Sequence, residues 1–156
     1  MNPVNPVLFY GIGNPGRRDD GLGIAFVSSI DSLNLPEIDI EENYQLNAED
    51  ALTIKDRKMV VFVDAAVNIN EPYQFTLIQP SLNIEFTTHA MQPQSVLALC
   101  EQLYNSRPQC YTLAIRGNDW GAGEGISEPA GQNLRMALQF TRKLLGGKIP
   151  IESCRQ

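Results

Sequence analysis

The stretch VLFYGIGNPGRRDDGLG, residues 7–23, decides the fold of this chain. Its apolar start, residues 7–10, predicts a buried strand. The turn that follows contains three glycines, which suit a sharp bend or the close approach of another group: Gly11, Gly13 and Gly16. Two acids, Asp19 and Asp20, then stand where a helix is expected to begin. We therefore expect at least one carboxylate at the C-terminal end of the strand, where open α/β sheets place their ligand sites.

The rest of the chain alternates between strand and helix periodicity. The predicted helices cover residues 20–33, residues 48–55, a segment that starts at Pro93, and a segment capped by Ser127 that stops at Gly146. The predicted strands cover residues 38–44, 58–64, 73–78 and 110–116. The first of these alternates as a half-exposed outer strand does, whereas 58–64 is apolar throughout and predicts a central strand. The connection before 73–78 is too short for a crossover helix, which predicts an antiparallel edge strand.

This alternation predicts a single-domain α/β fold, a three-layer sandwich with a mostly parallel, twisted sheet and helices on both faces. A chain of 156 residues fits one domain and buries roughly 70% of the surface that its unfolded form exposes. We assign residues 1–156 to that domain, with its core over residues 5–147 and a tail over residues 148–156.

Composition and charge argue against several classes of partner. The chain has 12 Lys and Arg against 18 Asp and Glu, and the resulting formal charge of −6 disfavours nucleic acid and anionic membranes. It has no membrane-spanning apolar run and no signal-peptide pattern at its start, so we expect a cytoplasmic protein, and a monomer. The three cysteines, Cys100, Cys110 and Cys154, lack Cys-x-x-Cys spacing and indicate buried or incidental thiols.

Three side chains are predicted to meet at one rim of the sheet: Asp20 (or Asp19), Asp64 and His89. Carboxylates with one imidazole suit a divalent ion such as Zn²⁺ or Ni²⁺ with open positions, or a general acid/base site. The three lie far apart in the sequence and form no compact motif. Ordinary roles therefore stay open, namely a helix cap, a strand-end acid and a packed histidine.

Two other chemistries fit the sequence less well. Residues 11–16 match the Gly-x-Gly-x-x-Gly dinucleotide fingerprint, but Pro15 and two arginines follow inside the turn, and acids at a helix start repel a phosphate. Catalysis by a serine or cysteine nucleophile is disfavoured, because the sequence has no Gly-x-Ser-x-Gly motif and no cysteine beside a motif that could activate it.

Three motifs, in order, resemble those of the hydrogenase maturation proteases. GIGNPGRRDDGLG, residues 11–23, resembles that family's Gly-x-Gly-Asn, acidic pair and Gly-x-Gly. VVFVDA, residues 60–65, resembles its second strand-end aspartate, and TTHAMQPQSV, residues 87–96, its histidine-bearing loop before a helix. The likeness spans residues 7–145 and implies a phosphorylase/hydrolase-like fold.

The resemblance implies an endopeptidase that removes the C-terminal peptide from a [NiFe]-hydrogenase large-subunit precursor after nickel insertion. It assigns the catalytic and metal-binding roles to Asp20, Asp64 and His89, so that Asp20 should matter more than Asp19. The nickel is expected to arrive within the substrate, as a recognition signal or as a Lewis acid at the scissile carbonyl. Zinc or cadmium is expected to be able to replace it in a crystal.

Two further functions remain open. One is a non-catalytic nickel-sensing chaperone or binding module for the same precursor, and the other is a peptidyl-tRNA hydrolase-like enzyme, whose opening motif is similar. Around the site, contact with the precursor is open to Arg17, Arg18 and Asp19, but we expect them to be solvated surface charges. We also expect residues 117–125 to form a flexible docking rim and residues 43–47 to help select the partner.

Overall fold

Strands and helices alternate along the chain in the computed structural model, which describes residues 4–81 and 91–147. The strands of this part are β1 (Val7–Ile12), β2 (Ile38–Asn43), β3 (Met59–Ala66), β4 (Tyr73–Leu77) and β5 (Gln109–Arg116). Its helices are α1 (Leu22–Asp31), α2 (Asp50–Ile54), α3 (Pro93–Tyr104) and α4 (Glu128–Leu145). The predicted α/β fold is confirmed.

The five strands form one sheet in the order β2-β1-β3-β5-β4. The pairs β1 with β2, β1 with β3 and β3 with β5 are parallel, and β4 runs antiparallel to β5 at the edge. Both the outer position of β2 and the antiparallel edge strand agree with the sequence predictions. The C-terminal ends of β1 and β3 therefore lie side by side on one rim of the sheet.

The core is divided into two layers by the sheet. On one face α1 and α4 bury Phe26, Ile30 and Ala137 against the strands, and on the other α2 and α3 bury Ile54 and Leu97. Strand β3 contributes to both layers, because its alternate apolar side chains point to opposite faces. Its burial on both faces confirms the prediction of a central strand.

The first helix begins later than its periodicity predicts. A single 3₁₀ turn, Arg18–Gly21, carries both acids, and the α-helix starts only at Leu22. The backbone N–H of Asp20 donates to the carbonyl of Arg17, which closes this tighter turn. Both carboxylates thus precede the helix instead of lying in its first turn.

Two cysteines are free and buried, Cys100 and Cys110, as the sequence predicts, and burial raises the pKa of the Cys110 thiol to about 12. Cys154 lies outside the described residues. Among the helices of the described part, none has both the length and the apolar character needed to cross a membrane.

Candidate functional site

The site lies where β1 and β3 end next to each other. The two strands are paired in register, with Gly11 opposite Val63. Asp64 is the residue after Val63 within β3, and Asp20 lies in the 3₁₀ turn that follows β1. Parallel pairing therefore brings these two predicted residues to the same rim.

Glycines make the turn after β1 compact enough to hold Asp20 there. Gly13 has φ +142°, and a Cβ at this position would lie 2.0 Å from the Asp20 carbonyl oxygen. At Gly23, a Cβ would lie 2.3 Å from the carbonyl oxygen of Val63, so the start of α1 packs directly on the strand ends. The glycines thus serve the close packing of the turn against the acid, and Gly13 alone of these two needs the left-handed backbone.

The Asp20 side chain is fixed by the same turn. The backbone N–H of Asn14 donates to Oδ2 of Asp20 over 2.9 Å, and the Asn14 side chain accepts from the N–H of Gly16. Asp20 itself is half-buried. One carboxylate oxygen of Asp20 is therefore oriented by the turn while the residue keeps a path to solvent.

The second acid, Asp64, is held in a state that disfavours its charge. Surrounding protein desolvates the carboxyl and raises its pKa to about 6, the nearby charge of Asp20 adds to the rise, and the N–H of Ala65 opposes it. Asp64 nevertheless has a solvent-accessible surface, so water approaches it from one side. A carboxyl group with a raised pKa next to a second carboxylate is typical of functional sites.

Asp19 does not have the predicted role of a solvated surface charge. It is completely buried, with 0% of its surface exposed. Its Oδ2 accepts hydrogen bonds from the backbone N–H groups of Asn118 and Asp119, both over 2.7 Å. Its Oδ1 accepts from the N–H of Ser127 over 2.7 Å, and the Ser127 hydroxyl donates to Oδ2 over 2.6 Å.

The hydrogen bonds explain why Asp19 is stable as a buried anion. Burial disfavours its ionised form, but the hydrogen bonds from Ser127, Asp119 and Asn118 outweigh that effect and hold the pKa of the carboxyl below its usual value. Ser127 is also the N-cap of α4. Asp19 therefore joins the turn after β1 to the start of the last helix.

The loop over residues 117–125 is attached to the rest of the rim, which argues against the flexibility expected for it, while its docking role stays a prediction. The N–H of Arg18 donates to the carbonyl of Gly123, and the N–H of Gly123 donates to that of Gly16. The Arg18 guanidinium lies 3.4 Å from the Asp119 carboxylate. The Trp120 ring packs over Gly117, where a Cβ would lie 2.7 Å from the indole.

The segment over residues 43–47 divides its side chains between core and surface. Leu46 is buried, and its carbonyl accepts from the N–H of Met91. Tyr44 is 70% exposed at the rim. The part of residues 43–47 in partner selection stays a prediction.

The third predicted residue, His89, lies outside the described residues. Within residues 4–81 and 91–147, no three His, Cys, Asp or Glu side chains form a group suited to a metal ion. The described part of the site is thus the Asp20 and Asp64 pair, and the predicted triad stays a prediction.

Sequence reasoning missed the structural role of Asp19. Asp19 and Asp20 are the same residue type, and a turn of unknown geometry gives no signal for which of them points inward. Ser127, which binds Asp19, was predicted only as the N-cap of the last helix.

Comparison with known proteins gives no match to a protein-family model or to a curated protein. Among solved structures, the hydrogenase maturating endopeptidase HybD from E. coli is similar over 91% of this chain and 93% of its own, with a TM-score of 0.71 and 14% identity. The [NiFe] hydrogenase maturation protease HycI from Thermococcus kodakarensis covers 88% and 91%, with a TM-score of 0.66 and 21% identity. An uncharacterized protein from Wolinella succinogenes covers 94% and 100%, with a TM-score of 0.64 and 22% identity.

Near-complete coverage in both directions means that the described elements have counterparts throughout these structures. The resemblance drawn from the three sequence motifs is confirmed at the level of the fold. This chain has the fold of the hydrogenase maturation endopeptidases.

Proposed function

We propose that this protein is an endopeptidase that removes the C-terminal peptide from a [NiFe]-hydrogenase large-subunit precursor after nickel insertion. The observation that carries the proposal is the placement of Asp20 and Asp64 at the same rim, where the parallel pairing of β1 with β3 brings two carboxylates together. Desolvation, with a smaller contribution from the charge of Asp20, raises the pKa of Asp64 to about 6. The likeness of the fold to a hydrogenase maturating endopeptidase and to a [NiFe] hydrogenase maturation protease supports the same function.

The nickel in this proposal belongs to the substrate. Two carboxylates that repel each other favour a dication between them, since binding removes the repulsion and stabilises both ionised forms. Asp20 and Asp64 then recognise a precursor that has received its metal, with His89 proposed as a third ligand. A scissile carbonyl that contacts the ion is polarised by it, which lowers the barrier to attack by water.

The test is processing of a nickel-loaded precursor by the purified protein, with the released peptide detected by mass spectrometry. We expect cleavage by the wild type. Asp20→Asn and Asp64→Asn should each lower the rate by roughly 100-fold or more, because each replaces an anionic ligand by a neutral amide of the same shape. His89→Ala should have a similar effect.

The matched control is Asp119→Asn, which makes the same charge change on an acid of the same rim whose side chain is 40% exposed. It should cleave at close to the wild-type rate. A wild type that binds the loaded precursor without releasing a peptide would identify a non-catalytic binding module and contradict the proposal. Normal cleavage by Asp20→Asn and Asp64→Asn would remove the assignment of the site.

A further inference from the structure

A cleft of about 370 Å³ opens beside Asp64 on the face of the sheet that carries α2 and α3. Strands β3 and β5 form its floor. Tyr44, Leu46, Met91 and Pro93, the first residue of α3, line its sides, and Leu46 and Met91 are joined by a backbone hydrogen bond. The cleft is thus continuous with the carboxylate pair.

The floor of the cleft carries small side chains from β5. In the register of β3 with β5, Phe62 pairs with Thr112 and Asp64 pairs with Ala114. Strand alternation points these four side chains to the same face. Thr112 and Ala114 are both only half-buried, which leaves room above them.

The described lining of the cleft combines apolar side chains with uncharged amides. Its apolar side chains include those of Ile12, Leu46, Phe62, Met91 and Pro93. Three amides stand around them, those of Gln45, Gln92 and Gln94. Asp64 is the one charged residue among the described lining residues. A phosphate or a free carboxylate would therefore find no cation in this lining, whereas an apolar side chain would be well accommodated.

We propose that the cleft binds the precursor chain in an extended form beside the scissile bond, with one apolar side chain inserted over Thr112 and Ala114. The inference rests on the proposed function. An extended chain advances about 3.3–3.6 Å per residue, so a peptide bond held at Asp64 places its adjoining residue within the cleft. The three glutamine amides carry both donors and acceptors and suit the backbone of such a segment.

The size of the inserted side chain is set by the floor, and Ala114 is the place to test it. Precursors are prepared with Ala or Leu at the residue on each side of the scissile bond in turn. At one of these two positions, the wild type should cleave the Leu precursor faster than the Ala precursor. Ala114→Leu should lower the ratio of the two kcat/KM values at least tenfold, because a few methylenes in a pocket discriminate by 10- to 200-fold.

The matched control is Gln74→Leu. Gln74 is the partner of Ala114 across β4 and β5, it is exposed, and it does not line the cleft. This variant receives the same new side chain as Ala114→Leu. Its ratio of kcat/KM for the Leu precursor to kcat/KM for the Ala precursor should equal that of the wild type.

A second variant protects the test against misfolding of Ala114→Leu. Tyr44→Ala changes a residue that is 70% exposed, so the core is untouched. It should raise KM for the Leu precursor and leave kcat close to the wild-type value, as expected when binding shared by ground state and transition state is lost.

The outcomes separate this inference from the proposed function. If the wild type cleaves no precursor, the proposed function fails. If it cleaves, and both variants keep the wild-type ratio and KM, the proposed function stands and the cleft inference is overturned. An unchanged ratio with a change in molar mass by light scattering for Ala114→Leu would identify a second copy of the chain as the occupant, and would also overturn it.

Discussion

Asp19 shows how a buried charge becomes a structural anchor. Its carboxylate receives four hydrogen bonds, and all of them come from Asn118, Asp119 and Ser127. Hydrogen bonds to an ionised acceptor are roughly twice as strong as neutral ones. Because the residue is fully buried, removal of the charge leaves those donors without a full set of acceptors.

We expect Asp19→Asn to lower the free energy of unfolding by about 3 kcal/mol, since an amide nitrogen would face N–H groups that need an acceptor. Urea denaturation measures the loss. The control Asp119→Asn affects a carboxylate whose side chain is 40% exposed, and it should change stability by less than about 1 kcal/mol. Equal stability of the two variants would contradict the anchoring role of Asp19. Reduced processing by an Asp19 variant is expected from this loss and says nothing against Asp20.

At neutral pH the ionised Asp64 carboxyl destabilises the folded state, in contrast to that of Asp19, because folding raises the pKa of Asp64 to about 6. The folded state then binds more protons than the unfolded state between about pH 4 and pH 6, so this contribution falls as pH rises through that window. We expect Asp64→Asn to be more stable than the wild type at pH 7, by about 1 kcal/mol after a discount for solvent screening.

The measurement for Asp64 is thermal unfolding of wild type and Asp64→Asn at pH 4 and pH 7. The difference should be large at pH 7 and should nearly vanish at pH 4, where the wild-type carboxyl is already protonated in the folded state. A constant difference at both pH values would show that the substitution acts through packing and not through charge.

Sequence reasoning at the residue scale worked where topology alone places a side chain. Asp64 follows an apolar strand, and Asp20 follows the turn after another, so adjacent parallel strands bring them together. It failed for Asp19, whose direction depends on the exact bend of the 3₁₀ turn Arg18–Gly21. It also did not predict the cleft, because Thr112 and Ala114 are ordinary strand residues in the sequence and the cleft depends on how distant segments pack around them.

At the scale of elements, the junction of β1 and α1 depends on close backbone packing. Gly13 lies against the carbonyl of Asp20, and Gly23 lies against that of Val63. A side chain at either position would separate the helix from the strand ends. The junction therefore has glycine at the two positions where a Cβ atom has no room.

We expect Gly13→Ala to destabilise the protein by about 3 kcal/mol or more, since its Cβ would lie 2.0 Å from the Asp20 carbonyl at a φ of +142°. The control is Gly131→Ala in α4, where the nearest atom beyond the helix backbone is an arginine nitrogen at 3.7 Å. That change should stabilise by about 0.5–1 kcal/mol, the gain in helix propensity. Chemical denaturation compares the two, and a tolerated alanine at Gly13 would refute the packing argument.

The predicted elements agree with the observed ones because their signals are local. Proline opens α3, Ser127 caps α4, and the apolar run before Asp64 is a central strand. The start of α1 was misplaced, because its first turn is fixed by contacts with residues far along the chain and not by its own periodicity.

For the whole molecule, the sheet order predicts a gradient of local stability. The first five residues of β3 are buried, whereas the last three residues of the edge strand β2 are exposed. We expect amides of β3 to exchange with solvent only through global unfolding, and those at the end of β2 to exchange through local opening. Hydrogen exchange followed by mass spectrometry measures this, and uniform protection of both strands would argue against the gradient.

The bonds to Asp19 also order events during synthesis of the chain. Their donors follow Asp19 by 99, 100 and 108 residues. While the ribosome is still translating the middle of the chain, β1 and β3 have already been made, but the donors that bind the Asp19 carboxylate in the folded protein have not. The 3₁₀ turn Arg18–Gly21 is therefore completed late. A polypeptide interrupted before Asn118 contains both Asp20 and Asp64, but it lacks the donors that attach this turn to the rest of the rim.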